Sequence, residues 1–116
     1  MTENLKQIIQ INSRWDSKRI LFEGEFSCIT EALETAVKNG ANLKGANLES
    51  AILKSANLYG ANLERANLES ANLDGANLDG ANLERANLKR AILKSANLEK
   101  ANLYGANLYG ANLESA

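Results

Sequence analysis

The residues of this chain that could do chemistry are carboxylates separated by twenty positions. Glu49 precedes Glu69 at this spacing, and Glu64 precedes Glu84. If residues twenty apart come to lie side by side, each pair approaches the carboxyl separation of roughly 5 Å found in retaining glycosidases. We expect solvated carboxylates instead, because arginines flank them and nothing on such a surface would desolvate an acid and raise its pKa.

The other reactive residue types also argue against catalysis. The chain has no His, which removes Ser-His and Cys-His nucleophiles and His-ligated zinc. Its single Cys28 excludes an internal disulfide and a cysteine metal cage, and it fits the reducing cytoplasm. Asp74 and Asp79 offer too few oxygens for a calcium site. We therefore predict a cytoplasmic protein that is not an enzyme and has no cofactor, unless Glu23 or Glu25 proves to be a buried acid.

Length, composition and charge limit the possible functions. A chain of 116 residues is long enough for one domain and too short for two ordinary ones. Hydrophobic residues make up 45% of it but aromatic residues only 5%, so the apolar content rests on Ala and Leu. The net charge of -1 argues against a nucleic-acid partner. The sequence has neither an apolar run of about eighteen residues nor a signal peptide, so no membrane partner is expected.

Residues 41 to 115 form fifteen consecutive units of five residues. The first residue of every unit is Ala and the third is Leu, while the second is Asn except at Ile52 and Ile92. A period of five matches neither the 3.6-residue period of a helix nor the two-residue period of a strand. Every Leu reaches a common interior only if the chain turns once per unit, and the frequent Gly and Ser at the fifth position favour such a turn. The repeat therefore predicts a β-solenoid.

The tandem A-N-L-x-x units resemble the pentapeptide-repeat family, whose motif is A-(N/D)-L-x-x. The resemblance covers residues 41 to 116 and implies a right-handed, four-sided β-helix with twenty residues per coil, whose first and third positions face inward. Ile52 and Ile92 lie forty residues apart in two copies of AILKSANL, which fits coils of twenty residues and not of fifteen. The predicted fold class is an all-β solenoid, a right-handed quadrilateral β-helix of about four coils with a short N-terminal α/β cap.

Residues 1 to 40 lie outside the repeat, and we expect them to form a capping segment ahead of the β-helix of residues 41 to 116. Thr2–Asn12 is predicted to be a short helix with isoleucines toward one side. The sequence ILFEGEF predicts a strand at about 20 to 26. A helix is predicted at about 29 to 39, because its apolar residues follow a helical stripe and a Gly follows it. This stripe would cover the first leucines, since an open solenoid leaves its first layer bare.

The last coil of the repeat has no comparable cover in this sequence. Leu103, Leu108 and Leu113 would form its final apolar layer, with Tyr104 and Tyr109 on adjacent sides. An open apolar layer rimmed by amphipathic aromatic residues suits a contact surface. We predict an end-to-end homodimer through this C-terminal end, a mode that the pentapeptide-repeat family also uses. The alternatives are a frayed end or a truncated chain.

Two further groups of side chains mark the walls of the predicted rod. Arg65 and Arg85 on one side, with Arg90 on the next, would make a small basic patch. Ile52 and Ile92 would make an apolar pair where Asn is otherwise the rule. Flat polar walls with such local variation favour a non-catalytic protein-protein interaction or scaffold module. Its partner would be another protein or a second copy, and no small-molecule substrate is evident.

Two alternatives remain open for the function. One, implied by the family resemblance, is a DNA-mimicking modulator of DNA gyrase or another type II topoisomerase. It is disfavoured because residues 41 to 116 carry eight basic and eight acidic side chains, whereas a mimic of duplex DNA needs strong negative charge. The other is a consensus-like or designed solenoid without a native function, which the near-identity of the units suggests.

Overall fold

The computed structural model describes residues 5 to 116, and three regular elements precede its repeat. Strand β1 spans Gln7–Asn12, strand β2 spans Ile20–Phe26 and helix α1 spans Ile29–Lys38. β1 and β2 pair as an antiparallel two-stranded sheet. β2 and α1 occupy the segments where the sequence predicts a strand and a helix, and α1 ends one residue earlier than expected. Within the described range, no helix is long and apolar enough to cross a membrane.

The helix expected over Thr2–Asn12 is wrong for the part that the structure describes. Residues 1 to 4 lie outside the described range, and Gln7–Asn12 is a strand. Half of its residues are Ile, whose β-branched side chain suits a pleated sheet better than a helix. Side chains alternate between the two faces of the strand, so Ile11 points into the core and is 1% exposed, whereas Ile8 points to solvent and is 67% exposed. Pairing with β2, a contact between residues distant in sequence, therefore decides the local structure.

Helix α1 packs its apolar stripe against the repeat. Ala32, Leu33 and Ala36 are fully buried, and the last two belong to the same apolar cluster as the leucines of the repeat. At the start of the helix, the hydroxyl and the backbone N–H of Ser27 both donate to the Glu31 carboxylate. These hydrogen bonds favour the charged form and hold the pKa of Glu31 below its ordinary value.

From the start of the repeat, the chain winds into coils of twenty residues. Parallel bridges join residues twenty apart, such as Asn47 and Asn67. Backbone hydrogen bonds follow the same register: the N–H of Leu53 donates to the carbonyl of Asn72 at 2.7 Å, and the N–H of Asn72 donates to the carbonyl of Ala51 at 2.9 Å. After every unit, the N–H of the next Ala donates to the carbonyl of the preceding Leu and closes a turn. Four such turns give each coil four sides.

The first and third residues of the units fill the interior. From Leu43 to Leu93, every Leu at the third position is at most 2% exposed. Most of the alanines between them are buried as well. Toward the last coil the exposure rises, and Leu113 is 40% exposed. The interior is therefore a stack of leucine layers whose last layer is partly open.

The fifth residue of every unit turns a corner in the left-handed region, with φ between +56° and +71°. Gly occupies six of these corners, where it adopts such a φ without steric conflict. The other nine carry Ser, Arg or Lys, whose left-handed backbone costs about 1–3 kcal/mol unless the surrounding structure compensates. The corner geometry explains the frequent Gly, whereas Ser, Arg and Lys adopt the same φ at a local cost.

The chain at the end of β1 is bonded to the first coil on both sides of Ala46, where Ser13 and Ala46 form an antiparallel bridge. The carbonyl of Asn12 accepts the N–H of Asn47 at 2.7 Å. The N–H of Arg14 donates to the carbonyl of Gly45, also at 2.7 Å. Both contacts involve backbone atoms, so they hold the end of the sheet firmly against the repeat.

Helix α1 bonds two further sides of the first coil with side chains. Oγ1 of Thr30 donates to the carbonyl of Ile52 at 2.9 Å, and the Glu34 carboxylate accepts the N–H of Asn57 at 2.7 Å. These contacts satisfy backbone groups that have no coil before them, because buried backbone donors and acceptors require partners. Three sides of the first coil and its corner at Gly45 therefore receive hydrogen bonds from the N-terminal segment.

Candidate functional site

The stacked carboxylates of Glu64 and Glu84 lie on an exposed wall and are matched with cations. Nζ of Lys44 lies 3.4 Å from Oε2 of Glu64, and Nη1 of Arg85 lies 3.6 Å from Oε1 of Glu84. Ion pairs exposed to solvent contribute little stability and leave both partners hydrated. This arrangement offers neither a desolvated acid nor an enclosing pocket, which acid–base catalysis on a sugar would need.

The remaining candidates for chemistry are dispersed. Cys28 is exposed at the N-terminal end of α1. Glu23 and Glu25 are exposed on β2, where Glu23 accepts a hydrogen bond from the Gln10 amide at 3.0 Å. Over the part of the chain that the structure describes, no three Cys, Asp or Glu side chains come together as a metal site requires. The reactive residue types of residues 5 to 116 therefore assemble no common site.

The asparagines at the second position each close a local turn. Oδ1 of Asn72 accepts the N–H of Asp74 at 3.0 Å, and all thirteen asparagines of the repeat make the same contact. In each of these units, this hydrogen bond stabilises the backbone in addition to the Ala-to-Leu hydrogen bond that closes the corner. Ile52 and Ile92 have no side-chain acceptor, so their units lack it.

The two isoleucines form a column on one wall. Parallel bridges place Asn72 between Ile52 below and Ile92 above. Ile52 is 69% exposed and Ile92 is 38% exposed. Each of these units therefore exposes an apolar side chain and forgoes a hydrogen bond that every Asn unit makes.

We expect the substitution Ile92→Asn to raise the free energy of unfolding by about 0.5–1.5 kcal/mol. The new amide would accept the N–H of Lys94, as Asn72 accepts that of Asp74. Urea denaturation followed by circular dichroism measures the change. The reverse substitution Asn72→Ile on the same wall is the control and should lose a similar amount. A loss of stability in Ile92→Asn would contradict the role assigned to the amide.

The predicted arginine patch and the C-terminal tyrosines form one surface. The guanidinium carbon of Arg85 lies 5.9 Å from the ring centroid of Tyr104, and Nζ of Lys89 lies 5.9 Å from that of Tyr109. Arg90 follows at the next corner. Cation–π contacts of this kind hold charge and aromatic surface together. Sequence reasoning missed Lys89, although its position twenty residues before Tyr109 is the signal that places the two side by side.

Arg65 extends this surface toward the N-terminal end of the rod. It occupies the same corner as Arg85, one coil earlier. Its carbonyl accepts a hydrogen bond from Nη1 of Arg14 at 3.0 Å. Sequence reasoning also missed Arg14, and no local signal could have found it, because the contact joins residues far apart in sequence.

Within residues 5 to 116, no further coil lies against the final coil, residues 97 to 116, and we call this side of it the open edge. Its leucine N–H groups have no acceptor among residues 5 to 116, and the carbonyl of the Ala two residues before each Leu has no donor there. Within residues 5 to 116, every side of the edge therefore presents one carbonyl without a donor and two N–H groups without an acceptor. The carbonyls are those of Ala96, Ala101, Ala106 and Ala111, and the N–H groups are those of Leu98, Leu103, Leu108 and Leu113 together with those of Lys100, Gly105, Gly110 and Ser115.

The family model described as Pentapeptide repeats (8 copies) matches this chain in three overlapping segments. They span residues 39 to 69, 66 to 103 and 81 to 116, which together are well over half of the chain. No curated protein matches the chain.

Solved structures of pentapeptide repeat proteins are similar to the chain. One from the thylakoid lumen of Arabidopsis thaliana is 35% identical over 64% of this chain and 55% of its own, with a TM-score of 0.57. Rfr23 from the cyanobacterium Cyanothece 51142 is 43% identical over 57% of this chain and 52% of its own, with a TM-score of 0.44. HetL from the cyanobacterium Nostoc sp. strain PCC 7120, involved in heterocyst differentiation regulation, is 41% identical over 60% and 37%, with a TM-score of 0.33. The chain spans about half the length of the first two.

Proposed function

We propose that this chain, which belongs to the pentapeptide-repeat family, is a non-catalytic protein-protein interaction module whose final coil pairs end to end with a second copy. Family membership gives the fold as a right-handed β-helix solenoid. Pentapeptide repeat proteins are generally structural or interaction modules rather than enzymes. The observation that carries the proposal is the open edge of the final coil.

This edge has the hydrogen-bonding pattern of an antiparallel strand. On each side, a free Ala carbonyl and the free N–H of the Leu two residues later flank one Asn, as Ala101 and Leu103 flank Asn102. Two antiparallel strands exchange such groups across a pair of facing residues. A two-fold axis across the end of the rod reverses the chain direction on every side. The edges of two copies are therefore self-complementary, as an isologous interface requires.

The apolar layer at this end supports the same pairing. Leu113 is 40% exposed, and Leu103 and Leu108 are only partly buried. A second copy would remove this layer from water as each coil does for the coil before it. Tyr104 and Tyr109 are 69% and 71% exposed at the rim, and Tyr is enriched in interfaces because its apolar ring ends in a polar group.

The other end of the rod limits the assembly to two copies. In the proposal, residues 5 to 40 act as a cap through the hydrogen bonds that Asn12, Arg14, Thr30 and Glu34 make to the first coil. A capped first coil leaves one open end, so head-to-tail growth is blocked and two-fold pairing closes the assembly. Fifteen units at twenty residues per coil give each rod about four coils.

The substitution Leu113→Lys tests the proposal, because it places like charges against each other at the two-fold interface. Sedimentation equilibrium of the unaltered chain over a wide concentration range should give about twice 12.5 kDa. We expect Leu113→Lys to raise the dissociation constant by about tenfold or more, equivalent to about 1.4 kcal/mol. Ile52→Lys is the control, since it makes the same kind of change on a side wall. A monomeric unaltered chain, or a dimer that Leu113→Lys leaves intact, would overturn the proposal.

A further inference from the structure

The loop of residues 13 to 19, between β1 and β2, is fixed to the repeat rather than free. The N–H of Arg14 donates to the carbonyl of Gly45, and its guanidinium donates to the carbonyl of Arg65 one coil later. The N–H of Ser13 donates to the carbonyl of Arg19 at 2.9 Å and closes the loop at its base. The loop therefore presents its side chains in a preset arrangement, which lowers the entropy lost on binding.

Trp15, in this loop, has one covered face and one open face. A Cβ at Gly45 would lie 2.7 Å from Cη2 of Trp15, so the indole rests directly on the backbone of that corner. Trp15 is nevertheless 60% exposed. Trp is one of the residue types enriched in interface hot spots, and it buries a large area when a partner binds.

The open face of Trp15 lines a groove of about 500 Å³ between the loop and the first side of the repeat. Ile20, 43% exposed, and the partly buried Leu21 line it with apolar surface. Arg19 and Lys44 also line it. The groove thus combines an apolar anchor site with two exposed cations.

The charges around this groove are predominantly positive. Asp16 is turned toward its own loop, since its carboxylate accepts the N–H of Lys18 at 3.0 Å. Glu64 pairs with Lys44 at 3.4 Å. The two charged residues that line the groove, Arg19 and Lys44, are both cations. Complementary charge on a partner would speed association and fix its register.

We propose that this groove docks an extended acidic segment of a different protein. An apolar side chain of that segment packs on the open face of Trp15, and its carboxylates pair with Arg19 and Lys44. The groove lies at the N-terminal end of the rod, so docking leaves the open edge of the final coil free. Docking in this groove and pairing through the final coil are therefore independent, and an experiment can disprove either one without the other.

Trp15 is the only tryptophan of the chain, so its fluorescence reports on this groove alone. The probe is a Glu-rich peptide with one central Leu, titrated into the full chain at low and at physiological salt. We expect a saturable shift of the Trp15 emission to shorter wavelength, weaker at higher salt because screening shortens electrostatic range. The same peptide with Lys in place of every Glu should give no shift, and a Leu→Gly version should bind less tightly.

Charge reversal locates the binding site. We expect Arg19→Glu to weaken binding of the Glu-rich peptide by about tenfold or more, a change of about 1.4 kcal/mol. Lys54→Glu, an equally exposed substitution on another side of the rod, should leave it unchanged. Circular dichroism shows whether both variants are folded. No emission shift, equal binding of the Lys-rich peptide, or equal weakening by both variants would overturn the proposal, whatever sedimentation shows for the dimer.

Discussion

Replacing Leu73 by Ala should lower the free energy of unfolding by about 2–5 kcal/mol. Leu73 is fully buried, with the leucine layers of Leu53 and Leu93 on either side of it. The regular hydrogen bonds between coils resist collapse around a missing side chain, so the substitution leaves a cavity. Urea denaturation of both proteins at one concentration, followed by circular dichroism, measures the loss.

The matched control for this prediction is Asn82→Ala. The Asn82 side chain faces outward and accepts one hydrogen bond, from the N–H of Glu84 at 3.0 Å. Its removal should cost only about 1 kcal/mol, because water can replace that partner. Equal losses in the two variants would contradict the assignment of the third position to the interior and the second to the surface.

The second large effect is expected at Gly45. Its φ of +71° disfavours any side chain, and a Cβ there would overlap the Trp15 indole. We expect Gly45→Ala to cost roughly 2–5 kcal/mol, from left-handed strain together with the displacement of Trp15. Trp15 fluorescence should change at the same time, since the indole loses its support.

Gly60→Ala separates strain from steric overlap. Gly60 has a φ of +67°, but apart from its chain neighbours no residue has an atom within 4 Å of the position of its Cβ. This variant should therefore cost only the strain, roughly 1–2 kcal/mol, and leave Trp15 fluorescence unchanged. Equal losses at the two glycines would show that Trp15 does not rest on Gly45.

The repeat is the part of the molecule that the sequence predicts best. Because Ala and Leu recur without exception, every unit meets the same requirement, and the inward position of Leu73 follows from the period alone. The strand Gln7–Asn12 is the opposite case. Its sequence fits a helix or a strand, and pairing with β2 decides between them, which no local pattern records.

The contacts of the candidate surfaces also include some that the sequence predicts and some that it does not. The contact of Lys89 with Tyr109 follows from a spacing of one coil, so the repeat register was sufficient to find it. The contacts of Arg14 with Arg65 and of Trp15 with Gly45 join the irregular loop to the repeat. They depend on the path of that loop, and neither composition nor periodicity determines it.

Amide hydrogen exchange tests most directly whether a second copy completes the final coil. The N–H groups of Leu98, Leu103 and Leu108 have no acceptor within residues 5 to 116, whereas that of Leu83 donates to the carbonyl of Asn102 at 2.8 Å. We expect those three amides to become protected as the protein concentration rises and to lose protection in Leu113→Lys, while Leu83 stays protected throughout. Rapid exchange of all three at every concentration would contradict pairing through the final coil.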